Sequence, residues 1–121
     1  MLKDSLYNII SYEAAGDSVK ASLAIRRECE IFDGHFPGFP IVPGVCMMQI
    51  IKEMLEQKVN RKLQLVTTAN MKFINVINPD VNKEVEVEMK LISVDGEVTL
   101  GEGVLKLNGN ACFKMIKSVY Q

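Results

Sequence analysis

The fold turns on the stretch Asp33-Gly34-His35-Phe36-Pro37-Gly38-Phe39-Pro40-Ile41-Val42-Pro43-Gly44-Val45. Asp33-Gly34 and the prolines at 37, 40 and 43 forbid regular structure, because each proline fixes its own φ and lacks an N–H. Pro43 suits the first turn of a helix, where a missing N–H costs nothing. Beyond it, the spacing predicts a helix from about Pro43 to about Lys58. Met47, Met48, Ile50, Ile51, Met54 and Leu55 share one broad face at 100° per residue, and Gln49, Lys52, Glu53 and Glu56 share the other. So wide an apolar face predicts an embedded helix.

Working outward, segments Leu6–Glu13 and Ser18–Arg26 flank the turn-prone Ala15-Gly16-Asp17 and read as a hairpin. Val19, Ala21, Leu23 and Ile25 alternate with more polar neighbours, which gives one buried face. After the polar break Asn60–Lys62 come Leu63–Val76, Glu84–Val94, Val98–Leu107 and Ala111–Val119. In the second of these, Val85, Val87, Met89 and Leu91 alternate with Glu84, Glu86, Glu88 and Lys90, a strand with one wet face. Asn78-Pro79-Asp80 is a turn, and Asp95-Gly96 and Asn108-Gly109 are hairpin turns. One long helix against an antiparallel sheet of about six strands is an α+β arrangement, in a single domain over residues 1–121. One helix leaves part of such a sheet uncovered, so a dimer that completes the core is expected.

Composition narrows the function. The 121 residues are 48% hydrophobic and 24% charged, with 14 Lys+Arg against 15 Asp+Glu. A chain so balanced lacks the basic footprint of a nucleic-acid binder. The longest nearly uncharged stretch, Gly34–Ile51, is broken by His35, prolines and glycines, so no membrane span is expected. Lys3 and Asp4, with no apolar run after them, argue against a signal peptide, and the expected location is the cytoplasm. Cys29, Cys46 and Cys112 form no metal-ligand spacing and read as buried reduced thiols. His35 is the one histidine. A one-chain multi-histidine metal site is therefore excluded, and neither metal nor cofactor is expected.

Chemistry concentrates where the loop enters the helix. A helix N-terminus presents unpaired N–H groups and a partial positive charge. Gly44 has no side chain, so a carbonyl oxygen can approach its N–H closely. A histidine with a pKa near ~6.5 moves protons at neutral pH. Taken alone, His35 reads more readily as a structural loop residue than as a base, and the glycines and prolines as loop punctuation.

The stretch Gly34–Val45 is similar to the signature of the FabZ-type and FabA-type 3-hydroxyacyl-(acyl-carrier-protein) dehydratases, which have the hot-dog fold. Their pattern is roughly G-H-F-P-x-x-P, two hydrophobic residues, then P-G-V and a long helix, and every fixed position is met here. A weaker echo runs through Met71-Lys72-Phe73-Ile74-Asn75-Val76-Ile77-Asn78-Pro79-Asp80, which resembles the family's aromatic-containing strand and following turn. The resemblance implies a central helix wrapped by the sheet, and a homodimer, with a trimer of dimers as a further assembly. It implies an acyl substrate carried on the phosphopantetheine of acyl carrier protein, in a tunnel at the subunit interface. His35 falls on the base that removes the C2 proton, and Gly44 on the N–H donor to the thioester oxygen. Phe36, Pro43 and Val45 are expected to contact the substrate.

One catalytic position departs from the pattern. Fourteen residues after the histidine the family has a carboxylate, from the partner subunit, that protonates the leaving hydroxyl. This chain has Gln49 there and Glu53 one turn later, where the family usually has Gln. An amide cannot donate a full proton. Either Glu53 supplies the acid from ~5.4 Å along the helix, or dehydration is lost, or both side chains are merely solvated on the polar stripe. The functional alternatives follow: a dehydratase in fatty-acid or polyene-type biosynthesis, a non-catalytic acyl or carrier-protein binding subunit, or a hot-dog thioesterase. Docking to an acidic carrier protein would need local basic groups, for which Arg26, Arg27, Arg61, Lys62 and Lys72 are candidates.

Overall fold

A computed structural model describes residues 1–33 and 40–121 of the chain. Six strands and one long helix follow the predicted order: β1 (Tyr7–Ala15), β2 (Ser18–Ile25), a short 3-10 turn (Glu30–Phe32), α1 (Gly44–Val59), β3 (Leu65–Phe73), β4 (Glu84–Ser93), β5 (Val98–Leu107) and β6 (Asn110–Tyr120). All six strands form one antiparallel sheet in the order β1-β2-β4-β5-β6-β3. β1 and β3 are therefore its edges.

Local chemistry explains the elements. Val85, Val87, Met89 and Leu91 of β4 are buried at 4% exposure or less, and register against Leu23, Ala21 and Val19 of β2 continues the apolar face. Asn108 and Gly109 have φ of 51° and 82°, the paired left-handed residues that a two-residue hairpin turn requires. Asn60 closes α1 with φ 56°, a conformation that Asn tolerates. Pro43 is the residue before the helix rather than its first residue, with ψ 148°. β3 is shorter than Leu63–Val76 because Phe73 is its last ladder residue, and Ile74 and Asn75 then both donate to Cys112 O.

α1 packs on the sheet through Cys46, Met47, Ile50, Ile51, Met54 and Leu55, all buried. Each large aliphatic side chain contributes roughly 1.5–3 kcal/mol of transfer energy. The approach is closest at β5, where a Cβ on Gly103 would lie 3.3 Å from Ile51 Cγ2. Met48, expected on the same face, is half-buried. Glu53, expected on the polar stripe, is only 5% exposed. Apolar surface stays open on and after β3, where Val66, Phe73, Ile74 and Val76 are about half exposed (49%, 55%, 53% and 47%). The three cysteines are free, and Cys29 is half-buried rather than buried. Burial pushes the Cys112 thiol up to about 11.

Candidate active site

The start of α1 is assembled from two distant segments. Val42 N donates to Ile77 O at 2.9 Å, which ties the loop before the helix to the one after β3. Pro43 O accepts from Cys46 N and Met47 N, at 2.9 and 3.2 Å. No described residue accepts from the Gly44 N–H, so this donor faces outward from the helix end. Phe73 lies over it: a Cβ on residue 44 would come within 2.8 Å of Phe73 Cε1. Phe73 is itself tilted against Phe113, with ring centroids 4.9 Å apart. The weaker of the two sequence echoes thus supplies the aromatic wall of the helix start, and any side chain at 44 would have to displace the Phe73 ring.

Along α1, Val45 is 72% exposed and Gln49 is half-buried. With Met48 and Lys52 they line one side of a groove of about 400 Å³, and Gln64, Leu65, Met115 and Tyr120 line the other. Gln49 stands about 7.5 Å along the helix axis from Gly44, at ~1.5 Å per residue. His35 and Phe36 lie outside the described residues.

Glu53 holds the most elaborate polar cluster in the site. Its Oε1 accepts from Tyr7 Oη at 2.7 Å and from Lys3 N at 3.1 Å. Its Oε2 accepts from Leu2 N at 2.8 Å and from Gln49 Nε2 at 2.8 Å. A carboxylate has about four lone-pair positions, and these four donors fill them. Burial raises the Glu53 pKa, but the bonds from Tyr7, Leu2, Gln49 and Lys3 outweigh it and hold the carboxyl below its ordinary value. Tyr7 moves the opposite way, raised by burial and then by the Glu53 bond, so it remains a donor. Glu53 is buried rather than solvated, and its donors favour the ionised carboxylate. Its involvement with the N-terminal backbone was not legible in sequence, since Leu2 and Lys3 are fifty residues away and offer only main-chain N–H groups.

The basic candidates are partly committed. Arg26 pairs with Glu28, and Arg27 pairs with Asp80 at 2.7 Å while its guanidinium lies 5.8 Å above the Phe32 ring. Arg61 donates to Gly96 O. No helix among the described residues is long and apolar enough to cross a membrane.

The long helix packed on a six-stranded antiparallel sheet defines a hot-dog fold. A family model of ApeI-like dehydratases matches residues 11–100, and the chain belongs to that family. The chain is similar to the 3-hydroxyacyl-(acyl-carrier-protein) dehydratase FabZ of Clostridium acetobutylicum, 33% identical over 88 residues. That match covers 66% of this chain and 60% of the relative, so it spans under two thirds of the relative's length. FabZ of Enterococcus faecalis is 29% identical over 117 residues, covering 90% of this chain and 78% of that one. Among solved structures, the dehydratase heterocomplex ApeI:P from Xenorhabdus doucetiae shares the fold, with a TM-score of 0.77 and 14% identity over 95% of this chain and 98% of that one.

Proposed function

We propose that the chain acts on 3-hydroxyacyl thioesters of acyl carrier protein, as a dehydratase that forms the trans-2-enoyl thioester. The observation that carries this reading is the complete Gly34–Val45 motif of the sequence, together with a helix start whose Gly44 N–H is unused by any described residue. Family membership over residues 11–100 supports it. In the reaction, His35 takes the C2 proton while negative charge develops on the thioester oxygen. The Gly44 N–H and the helix dipole stabilise that charge, which is the largest single requirement. The C3–O bond then breaks, and the hydroxyl leaves as water once it has received a proton.

On this reading the proton does not come from Glu53, because its four donors favour the ionised form. His35 received a proton at C2 and can return it to the leaving oxygen, which balances the step within one chain. The route asks more of one group than two groups would, and slow turnover is expected. Retention of the full motif favours this reading over a thioesterase.

A second reading is favoured by Gln49 itself. With an amide where the carboxylate is needed, the chain would serve as the acyl-binding subunit beside a second, carboxylate-bearing chain. The Xenorhabdus doucetiae relative is a heterocomplex, which supports such pairing. Either reading uses an oligomer, and the exposed apolar edge at β3 is the surface that would be covered.

The test is to incubate the protein with 3-hydroxyacyl carrier protein and follow enoyl formation. His35→Ala should slow it by roughly 10²-fold or more with fold and assembly intact. Wild-type formation no faster than the buffer blank, on short and long chains, would leave only the binding-subunit reading. Unchanged activity in His35→Ala would end the mechanism as drawn.

A further inference from the structure

We infer that Gln49 presents an amide carbonyl, not an amide N–H, to the C3 hydroxyl of the substrate, and that Glu53 is the positioning residue that imposes this polarity. The inference rests on the 3-hydroxyacyl reading above and deepens it by assigning which end of the substrate's C3 group is recognised.

The argument begins with the orientation of an amide. An unrestrained glutamine turns either its oxygen or its nitrogen toward a ligand, and nothing in the sequence decides which. Here Gln49 Nε2 lies 2.8 Å from Glu53 Oε2. An ionised carboxylate accepts and cannot donate. The reverse orientation would set two oxygens against each other at that distance. Glu53 does not relieve the conflict by taking up a proton at neutral pH, because the bonds from Tyr7 Oη, Leu2 N and Lys3 N favour its ionised form. Those three donors come from the N-terminal segment and β1, so the orientation is fixed by tertiary structure and not by the helix alone. With Nε2 turned back to Glu53 and one of its two N–H bonds committed there, the amide oxygen is the end directed away from Glu53 and available to a ligand in the groove that Gln49 lines with Val45, Met48, Lys52, Gln64, Leu65 and Met115. Lys52 and Gln64 are further polar side chains of that groove, and beside its apolar wall of Val45, Met48, Leu65 and Met115 an acceptor discriminates, since a polar group that loses its water unmatched is not compensated.

A hydroxyl at C3 can donate to this oxygen. A keto group at C3 cannot, and would oppose one acceptor with another. The site therefore prefers the 3-hydroxyacyl group over the 3-oxoacyl group. The same hydrogen bond holds the hydroxyl by its proton and leaves the lone pairs of its oxygen free to take the proton needed for departure.

The test uses 3-hydroxyoctanoyl and 3-oxooctanoyl pantetheine amides, in which the amide replaces the thioester and suppresses C2 acidity and turnover. Affinities are measured by calorimetry. Wild type should bind the hydroxy compound about fivefold or more tightly, the ratio expected of one net hydrogen bond. Gln49→Leu, at a half-buried position, should fold normally and bring the ratio near one. Glu53→Gln, which frees the amide to turn over, should lower the ratio without removing binding. A wild-type ratio at or below one, or a ratio unchanged in Gln49→Leu, overturns the inference while leaving the acyl-binding reading intact. Failure of both compounds to bind overturns the reading and the inference together.

Discussion

Replacing Glu53 by glutamine should destabilise the protein by roughly 2–4 kcal/mol, and the geometry says why so small a change costs so much. Each carboxylate oxygen serves one main-chain N–H and one side chain: Lys3 N and Tyr7 Oη on Oε1, Leu2 N and Gln49 Nε2 on Oε2. In the variant one oxygen becomes an NH2 group. Tyr7 can rotate its hydroxyl to accept, and Gln49 can turn its amide over. Neither Lys3 N nor Leu2 N can do either, so one main-chain donor is orphaned whichever way the new amide faces. An unsatisfied donor costs about 1–3 kcal/mol, and reducing the surviving bonds from charge-assisted to neutral adds about 1 kcal/mol. For a domain of this size each kcal/mol is worth roughly 4 °C, so Tm should fall by about 8–16 °C. Calorimetry at fixed protein concentration reads this, and amide exchange at Leu2 and Lys3 should quicken with it. The pH dependence provides a control. Because the folded-state pKa of Glu53 lies below its ordinary value, its contribution is present above the ordinary glutamate range near ~4.3 and is lost as pH falls through the lower folded value. The gap between wild type and variant should therefore narrow in acid. A Tm within about 2 °C of wild type at neutral pH, or a gap that widens in acid, would refute the assignment of Glu53 as a buried anion held by donors.

Gly44→Ala should push the Phe73 ring off the helix start and reduce turnover about tenfold by crowding the N–H, while stability changes by no more than about 1–3 kcal/mol; kinetics alongside thermal melts separate the two. Val66→Lys, on the open β3 edge, should dissociate the assembly, and light scattering at micromolar concentration that gives the wild-type mass would contradict it. Gln49→Glu should raise enoyl formation, because burial and the ionised Glu53 one turn away both lift the new carboxyl's pKa into an acid's working range. Its rate should fall as pH rises through that pKa, since the acid must be protonated to act; a rate equal to wild type at every pH counts against Gln49 standing at the leaving group.

Most of the fold is written in local patterns. The Val85–Leu91 alternation, the Asn108-Gly109 turn and the proline-bounded start of α1 each depend on residues within a few positions of one another, so a linear reading finds them. Glu53 shows what such a reading cannot reach. On a helical projection it shares a stripe with Gln49, Lys52 and Glu56, yet it is buried because the N-terminal residues fold over it and supply two backbone donors. Main-chain donors carry no side-chain signature. The contact of Phe73 with Gly44 is hidden for a related reason. It requires β3 to pair with β6 at the sheet edge, a crossover that strand patterns alone do not dictate. The resemblance named Gly44 and His35 by motif, and the packing adds a reason for the glycine, since a side chain there would displace the Phe73 ring.

On the resemblance, Glu and Gln are exchanged by one helical turn, which is more than a conservative shuffle. With a carboxylate at the groove and an amide behind it, the amide donates backward and the carboxylate remains able to gain and lose a proton. With the order reversed, as here, the amide still donates, but to a carboxylate behind it that four donors hold ionised. The groove then meets an acceptor, the Gln49 amide oxygen, in place of an acid. On the proposed reading this changes the proton inventory and not the binding pocket. Recognition of the hydroxyl and polarisation at Gly44 survive, whereas protonation of the leaving group must come from His35 or from another chain. The two routes separate experimentally. If His35 alone carries the proton, solvent exchange at C2 and release of water share one pH dependence. If a second chain supplies the acid, adding that chain accelerates water loss while C2 exchange by this protein alone is unchanged.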